Sequence, residues 1–382
     1  MLTNRPQPTF LFAMTGAAGL CGGIAGSNLN VLYALLDLAI EHHLDLTVFS
    51  YLEHDRDRPD FLPSWVTFRG FEGDKWHFTS HLLHAMRRRP IVCFDHVSLA
   101  LPVLPFAATG RVKTIILTHG SEAWKHVRRT SRWSLRFATL CLANSRFTLR
   151  KMQERLFSFH GIACPLGLPP TFTRQSAVCP ASDLPLVFET ADSRTGQLGT
   201  RYLLMVARLD SRERGKGHRA LIRLLPTLRN DIADVQLVCA GPGDDRESLR
   251  AFARRHGVAS CVFFPGYVSV EILQALYRNC YAFVMPSTQE GFGLVYLEAM
   301  RYAKPCVGCF DQGAEDVIVH EETGFLLRNP HNSQSLFSIL RHLLRHPQHA
   351  QWLGRNGYKR LHDGFTARQY QARLQAEIAR VL

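Results

Sequence analysis

Two carboxylates, Glu290 and Glu298, stand with seven residues between them in the stretch 285–300, MPSTQEGFGLVYLEAM, and Gly291 and Gly293 lie just after the first. Acids can accept hydrogen bonds from sugar hydroxyls, and glycines let a ligand approach the backbone closely. A helical pattern opens at Leu294 and would offer unpaired N–H groups and a positive dipole end to a phosphate or polar sugar. Two cations lie upstream, Arg208 after RYLLMVA and Lys216 eight residues later in RERGKGH. Fixed cations beside a helix start can neutralise a diphosphate and stabilise it as a leaving group. In the first half, Gly22 and Gly23 of TGAAGLCGGIAGSNLN precede a helical pattern, and His119 of THGSEAW follows an apolar run. Backbone N–H groups at the glycines could meet phosphate or an acceptor hydroxyl, and the imidazole could donate to a sugar or phosphate oxygen. Plainer readings stand beside these: a flexible loop at Gly22 and Gly23, a surface histidine at 119, and a capping carboxylate at 290.

The elements that must carry these residues follow from periodicity. Apolar runs at Thr9–Met14, Leu46–Tyr51, Ile91–Phe94, Thr114–Thr118 and Leu140–Ala143 read as strands, with helical spacing between several of them, as at Asn28–Ala39. Prolines, serines and GQLG interrupt the pattern near 166–200. The alternation then resumes with RYLLMVARL, DVQLVCAGPG, SCVFFPGYV, CYAFVMPS, KPCVGCF and GFLLRNP. Strands alternating with helices predict α/β architecture with parallel sheets, whose ligands bind beyond the carboxyl ends of the strands. The expected division is a first domain over 1–168, a linker and loop over 169–200, a second domain over 201–360 and a terminal helix over 361–382 that packs back on the first domain.

With 382 residues, 46% hydrophobic and 20% charged, the composition is that of a soluble globular protein of two domains. No apolar run is expected to approach a membrane-spanning length and no signal-peptide core is read at the start, so a cytoplasmic location is expected. The formal charge of +13 calls for an anionic partner. Trp124–Phe137, WKHVRRTSRWSLRF, interleaves cations with aromatics and could lie on an anionic membrane surface, with Arg87–Arg89 adding charge. No helix-turn-helix or zinc-finger pattern appears, so nucleic acid is not expected. Three sets mimic metal sites: Cys306 with Cys309, His77 with His81 and His84, and Asp55 with Asp57. No second pair joins the cysteines, no carboxylate or cysteine completes the histidines, and the arginines and Pro59 around Asp55 and Asp57 fit a solvated loop better, so no metal is expected.

Taken together, GG at 22–23, THGSEAW, LANS, VARLDSRERGKGH, VCAGPG, VFFPGYV, PSTQEGFGLVYLEAM and TGFLLRNP resemble the retaining glycosyltransferases of family four, the glycosyl transferases group 1. The resemblance implies the GT-B fold, two facing Rossmann-like doubly wound parallel-sheet domains with a cleft between them. It implies that Arg208 and Lys216 bind the donor diphosphate, that Glu290 orients the transferred sugar, and that Glu298 holds the nucleotide ribose. Phe292, Gly293 and Leu294 would contact sugar or phosphate through their backbone, and Tyr267 and Val268 would lie at the base. His119 is implied near the reacting centre, and Gly22 and Gly23 at the acceptor or phosphate loop. The implied reaction moves a hexose from a nucleotide-diphosphate sugar to a glycan or lipid-linked acceptor, with retention and with neither metal nor cofactor. HGSEAW and KGH are similar to exopolysaccharide mannosyltransferases that use GDP-mannose, and a UDP-hexose stays open. Extra residues between Arg208 and Lys216 depart from shorter versions of the motif. The competing classes are a nucleotide-sugar-binding protein without catalysis and a fold-mate such as a sugar-nucleotide epimerase or glycosyl phosphorylase.

Overall fold

The computed structural model describes residues 8–20, 22–125, 127–156, 158–169, 186–329 and 332–382. The chain divides into two compact units, Met1–Arg174 with Phe365–Leu382, and Gln175–Gly364. The first holds a parallel sheet of β1 (Thr9–Met14), β2 (Asp45–Ser50), β3 (Thr67–Gly70), β4 (Ile91–Phe94), β5 (Thr114–Thr118), β6 (Leu140–Ala143) and β7 (Gly161–Ala163). Its order is β3-β2-β1-β4-β5-β6-β7. The five strands expected from apolar runs all form, displaced by no more than a residue. The two the runs did not reveal, β3 and β7, are the sheet edges, where partial exposure removes the need for continuous apolar sequence.

Strand order reverses between β1 and β4, and two buried carboxylates hold the glycine-rich loop that leaves β1 there. Asp95, directly after β4, accepts from the Thr15 amide at 2.8 Å, from the Thr15 hydroxyl, and from Asn28 Nδ2 at 2.7 Å. Glu53, three residues after β2, accepts from the amides of Ala17 at 2.9 Å and Gly19 at 2.6 Å. The sequence reading passed over both acids in this role. Loop conformation is therefore fixed from two neighbouring strand ends, which satisfies amides that would otherwise be orphaned.

Helix Gly23–Glu41 follows that loop. By length and composition it could cross a membrane, with a mean hydropathy of 1.3, contrary to the expectation that no apolar run approaches such a length. It is instead largely buried in the first unit, with Val31, Leu32 and Ala34 fully inside. Part of its cover is the chain's last helix, Ala367–Ala379, which buries Tyr370, Leu374 and Ile378. Gln371 Nε2 donates to Asn30 Oδ1 at 3.2 Å and Gln375 Nε2 to the Ala34 carbonyl at 3.3 Å. Thr366 caps the last helix through Gln369 in a reciprocal box.

The second unit opens with an antiparallel hairpin, β8 (Val187–Glu189) and β9 (Thr195–Gln197). This stretch was expected as linker and loop; the rest of that expected linker, 170–185, lies outside the described residues. A parallel sheet follows: β10 (Tyr202–Val206), β11 (Gln236–Ala240), β12 (Val262–Gly266), β13 (Ala282–Val284), β14 (Cys306–Cys309) and β15 (Gly324–Leu327), ordered β12-β11-β10-β13-β14-β15. The hairpin folds onto the β12 edge, where the Ala191 amide donates to the Val262 carbonyl at 2.8 Å and buried Arg250 donates to Glu189 at 2.7 Å. An edge that could template aggregation is thereby covered.

Replacing fully buried Leu374 or Ile378 with alanine is expected to cost about 2–5 kcal/mol. Amide hydrogen exchange across Gly23–Glu41 should rise in either variant while exchange in β10 to β15 stays unchanged.

Candidate active site

In the second unit the strand order reverses between β10 and β13, so their carboxyl ends open the crevice where a doubly wound sheet binds ligands. The loop leaving β10 is first held against the end of β11. Ala207 and Leu209 donate their amides to the carbonyls of Ala240 at 3.0 Å and Pro242 at 2.8 Å. Gly241 and Gly243 have φ of 139° and 153°, and a Cβ on either would lie 2.1 Å from a carbonyl oxygen of the β10 loop. These two glycines of VCAGPG therefore let two backbones touch.

The same loop then turns onto the segment after β13. The Thr288 amide donates to the Gly215 carbonyl at 2.8 Å, and a Cβ on Gly217, at φ 103°, would lie 2.6 Å from Pro286 Cγ. That packing brings Lys216 Nζ to 2.9 Å from Glu290 Oε2, with the two side chains only 17% and 16% exposed. Gln312 Oε1 accepts from the Glu290 amide at 3.1 Å, and the Gly313 amide donates to the Glu290 carbonyl at 2.8 Å, so the turn is tied to the loop after β14. Gly293 has φ 92° and precedes helix Leu294–Met300, while Phe292 is buried beneath the turn.

Glu298 points inward from that helix. Its Oε2 accepts from the Tyr277 hydroxyl at 2.6 Å, and burial pushes the carboxyl up to about 7. Burial, reinforced by Glu298, raises the Tyr277 phenol well above its ordinary range. His218, two residues beyond Lys216, is pushed down to about 4 by burial and is neutral at pH 7. Its Nε2 has no hydrogen-bond partner among the described residues. Neither His218 nor the supporting Gln312 and Tyr277 was singled out from sequence; for His218 the signal was present in GKGH.

Arg208 and Lys216, expected as one diphosphate clamp, each have an acid of their own. Arg208 Nη2 pairs with Glu213 Oε1 at 2.8 Å, and the arginine side chain is 66% exposed. Glu213 belongs to the extra residues of this loop. Tyr267 is exposed and Val268 half-buried, directly after β12.

In the first unit, His119 follows β5. Its amide and that of Gly120 donate to Glu122 Oε1, its carbonyl accepts from Asn144 Nδ2, and its Nε2 is buried without a hydrogen-bond partner among the described residues. Gly22, at φ 119°, stands at the start of helix Gly23–Glu41 with nothing within 4 Å of an added Cβ. Gly22 and Gly23 are both exposed, so the backbone there is open to solvent.

Residues resembling metal ligands have other occupations. Cys306 and Cys309 are buried in β14, where burial raises both thiols, Cys309 to about 12. His77 Nδ1 pairs with Asp74 at 2.8 Å, and His81 Nδ1 lies 2.9 Å from the His77 carbonyl. Asp55 and Asp57 accept from the amides of Gly70 and His54. Among the described residues no group of three or more histidine, cysteine or acidic side chains is arranged to hold a metal ion.

Residues 189–360 match the family described as Glycosyl transferases group 1. A glycosyltransferase of Methanocaldococcus jannaschii is 36% identical over 132 residues, 34% of this chain and 33% of that protein. The D-rhamnosyltransferase WbpZ of Pseudomonas aeruginosa is 32% identical over 174 residues, 45% of this chain and 43% of that protein. The chain thus spans well under half the length of these relatives. Over 98% of its length it superposes on sucrose-phosphate synthase from Thermosynechococcus elongatus, covering 99% of that chain, with a TM-score of 0.74 and 18% identity. HepE of Anabaena in complex with UDP-glucose gives 0.73 at 18% identity, with 98% and 100% of the two chains covered. The chain has the GT-B fold, built of two Rossmann-like parallel-sheet units.

The raised carboxyl of Glu298 makes a pH-dependent prediction. Because its folded value of about 7 lies above the ordinary carboxylate range, the folded state holds a proton that the unfolded chain releases. Its contribution to stability is complete below the unfolded value and declines as pH rises from there through 7. Glu298→Gln should therefore melt close to wild type at pH 4 and several degrees above it at pH 8, as read by thermal unfolding.

Proposed function

We propose that this protein is a retaining glycosyltransferase that moves a hexose from a nucleotide-diphosphate sugar, GDP-mannose or a UDP-hexose, to a glycan or lipid-linked acceptor in polysaccharide or glycolipid synthesis. It would act in the cytoplasm, peripherally on the inner face of the membrane. The observation that carries the proposal is the Lys216–Glu290 pair at the β10/β13 reversal, inside the segment that matches the glycosyltransferase family. Support for either nucleotide comes from relatives: HepE was captured with UDP-glucose, and a mycobacterial relative is described as GDP-mannose-dependent.

In this reading Lys216 and Arg208 take the diphosphate. As the bond from the anomeric carbon to the phosphate oxygen breaks, they neutralise the charge gathering on the leaving group. Glu290 accepts from hydroxyls of the sugar and fixes its orientation, and Glu298 accepts from the ribose. Neither acid is assigned as a covalent nucleophile, and cations of the protein take the role a divalent ion would otherwise fill. The acceptor hydroxyl attacks from the face the diphosphate leaves, so that the departing phosphate oxygen can take its proton. His119 and the loop at Gly22 and Gly23 are assigned to the acceptor side.

Incubation with each nucleotide sugar and a panel of acceptors, followed by assay of released nucleotide diphosphate and of the product, tests this. Lys216→Ala and Glu290→Ala should each lower kcat by about 100- to 1000-fold. Full turnover in both would sink the site assignment. Donor binding with no transfer to any acceptor would favour the non-catalytic reading, and recovery of an altered nucleotide sugar would favour an epimerase.

The Arg208–Glu213 pair supplies a second test. A carboxylate on Arg208 competes with any anionic ligand for the same guanidinium, so Glu213→Gln should lower KM for the donor severalfold with little change in kcat. An unchanged KM would remove Arg208 from the diphosphate site.

A further inference from the structure

The donor chemistry makes no use of the arginine-rich helix of the first unit. Helix Arg129–Arg136 buries Ser134 and Leu135 and carries Arg129, Arg132, Trp133 and Arg136 on one face, at the spacing that aligns side chains along a helix. Opposite them lie Arg155, Leu156, Ser158 and Phe159, at and just beyond the end of helix Arg146–Arg155. The two sides enclose an open groove of about 180 Å³.

Four arginines line this groove, whose walls are otherwise largely apolar, and among the described residues no acid lines it. Among the described residues none of the four forms an ion pair, and the acid next to Arg155, Glu154, is engaged by Lys151 at 2.8 Å. Like charges gathered this way repel one another and call for an anion. The rim is aromatic. Trp133 and Phe137 are 48% and 38% exposed and stack with ring centroids 5.7 Å apart, and the Arg136 guanidinium lies 5.5 Å from the Trp133 ring.

A free phosphate would use the arginines and leave the aromatics idle. A single-stranded nucleic acid would want an open ring to stack on, whereas Trp133 is already stacked by Phe137 and contacted by Arg136. A bilayer surface rich in anionic phospholipid uses both parts, with headgroup phosphates for the guanidinium groups and the headgroup–acyl boundary for tryptophan. We propose that this face docks on such a surface, with phosphodiester headgroups in the arginine groove and the Trp133–Phe137 stack at the boundary of the acyl region.

Sedimentation of the full chain with phosphatidylcholine vesicles, with and without phosphatidylglycerol, tests this. Binding is expected only with the anionic lipid and should weaken steeply as salt rises. At about fivefold per arginine near a charged surface, the triple variant Arg129→Gln, Arg132→Gln, Arg136→Gln should bind on the order of a hundredfold more weakly. Trp133→Ala should weaken the binding that persists at high salt. All four changes lie on exposed side chains, so unaltered far-ultraviolet circular dichroism and melting temperature will show that the fold is intact. Equal binding to neutral vesicles, or an undiminished affinity in the triple variant, would overturn the proposal. So would inorganic phosphate or an oligonucleotide that shifts the melting temperature of wild type but not of the triple variant while vesicles fail to bind. Vesicle binding is read without donor turnover, so failure here and failure of the transferase reading are separate results.

Discussion

The contact between Lys216 and Glu290 is the constraint around which the second unit is arranged. Two charges so far withdrawn from water must satisfy each other, or each would carry an uncompensated desolvation cost. The pair does not use up either partner. An ammonium has three donors and a carboxylate about four acceptor positions, so both can serve a ligand while still joined. An anion arriving at Lys216 and a hydroxyl arriving at Glu290 would therefore meet groups already in place, with little reorganisation at the moment of binding.

Holding that pair falls to backbone. Gly217 lies against Pro286, Gly313 against Gly291, and Gly241 and Gly243 against the β10 loop, each so tightly that a methyl group would collide. Four loops, from β10, β11, β13 and β14, are in this way locked to one another by contacts that side chains would forbid. The first unit reaches a similar end by different means. There the loop leaving β1 is held by carboxylates, Asp95 and Glu53, accepting its amides from neighbouring strand ends.

Much of this was legible in the sequence because central parallel strands are buried on both faces and read as unbroken apolar runs, as in TIILT and QLVCA. Edge strands such as TFRG lack that signature, and the hairpin on β12 is held by Arg250 and backbone pairing that no local pattern announces. Lys216, Glu290 and Glu298 stood out because glycines and strand ends surround them. That Lys216 also pairs with Glu290 depends on a contact across 74 positions of sequence. Glu213 escaped notice because its meaning lies in which arginine it reaches, and His218, although visible in GKGH, because its burial is set by the fold.

The last helix carries a consequence for how the chain is made. Helix Gly23–Glu41 is made well before residues 367–379, which supply part of its cover. The whole second unit is translated in between, with its own strands and helices continuous from 186 to 364 and able to close on themselves. Domains generally fold as units during synthesis. The second unit can therefore complete first, while the amino-terminal half waits with an apolar helix partly uncovered. A chain cut short before residue 367 would carry one finished unit and one lacking the seam that covers its apolar helix.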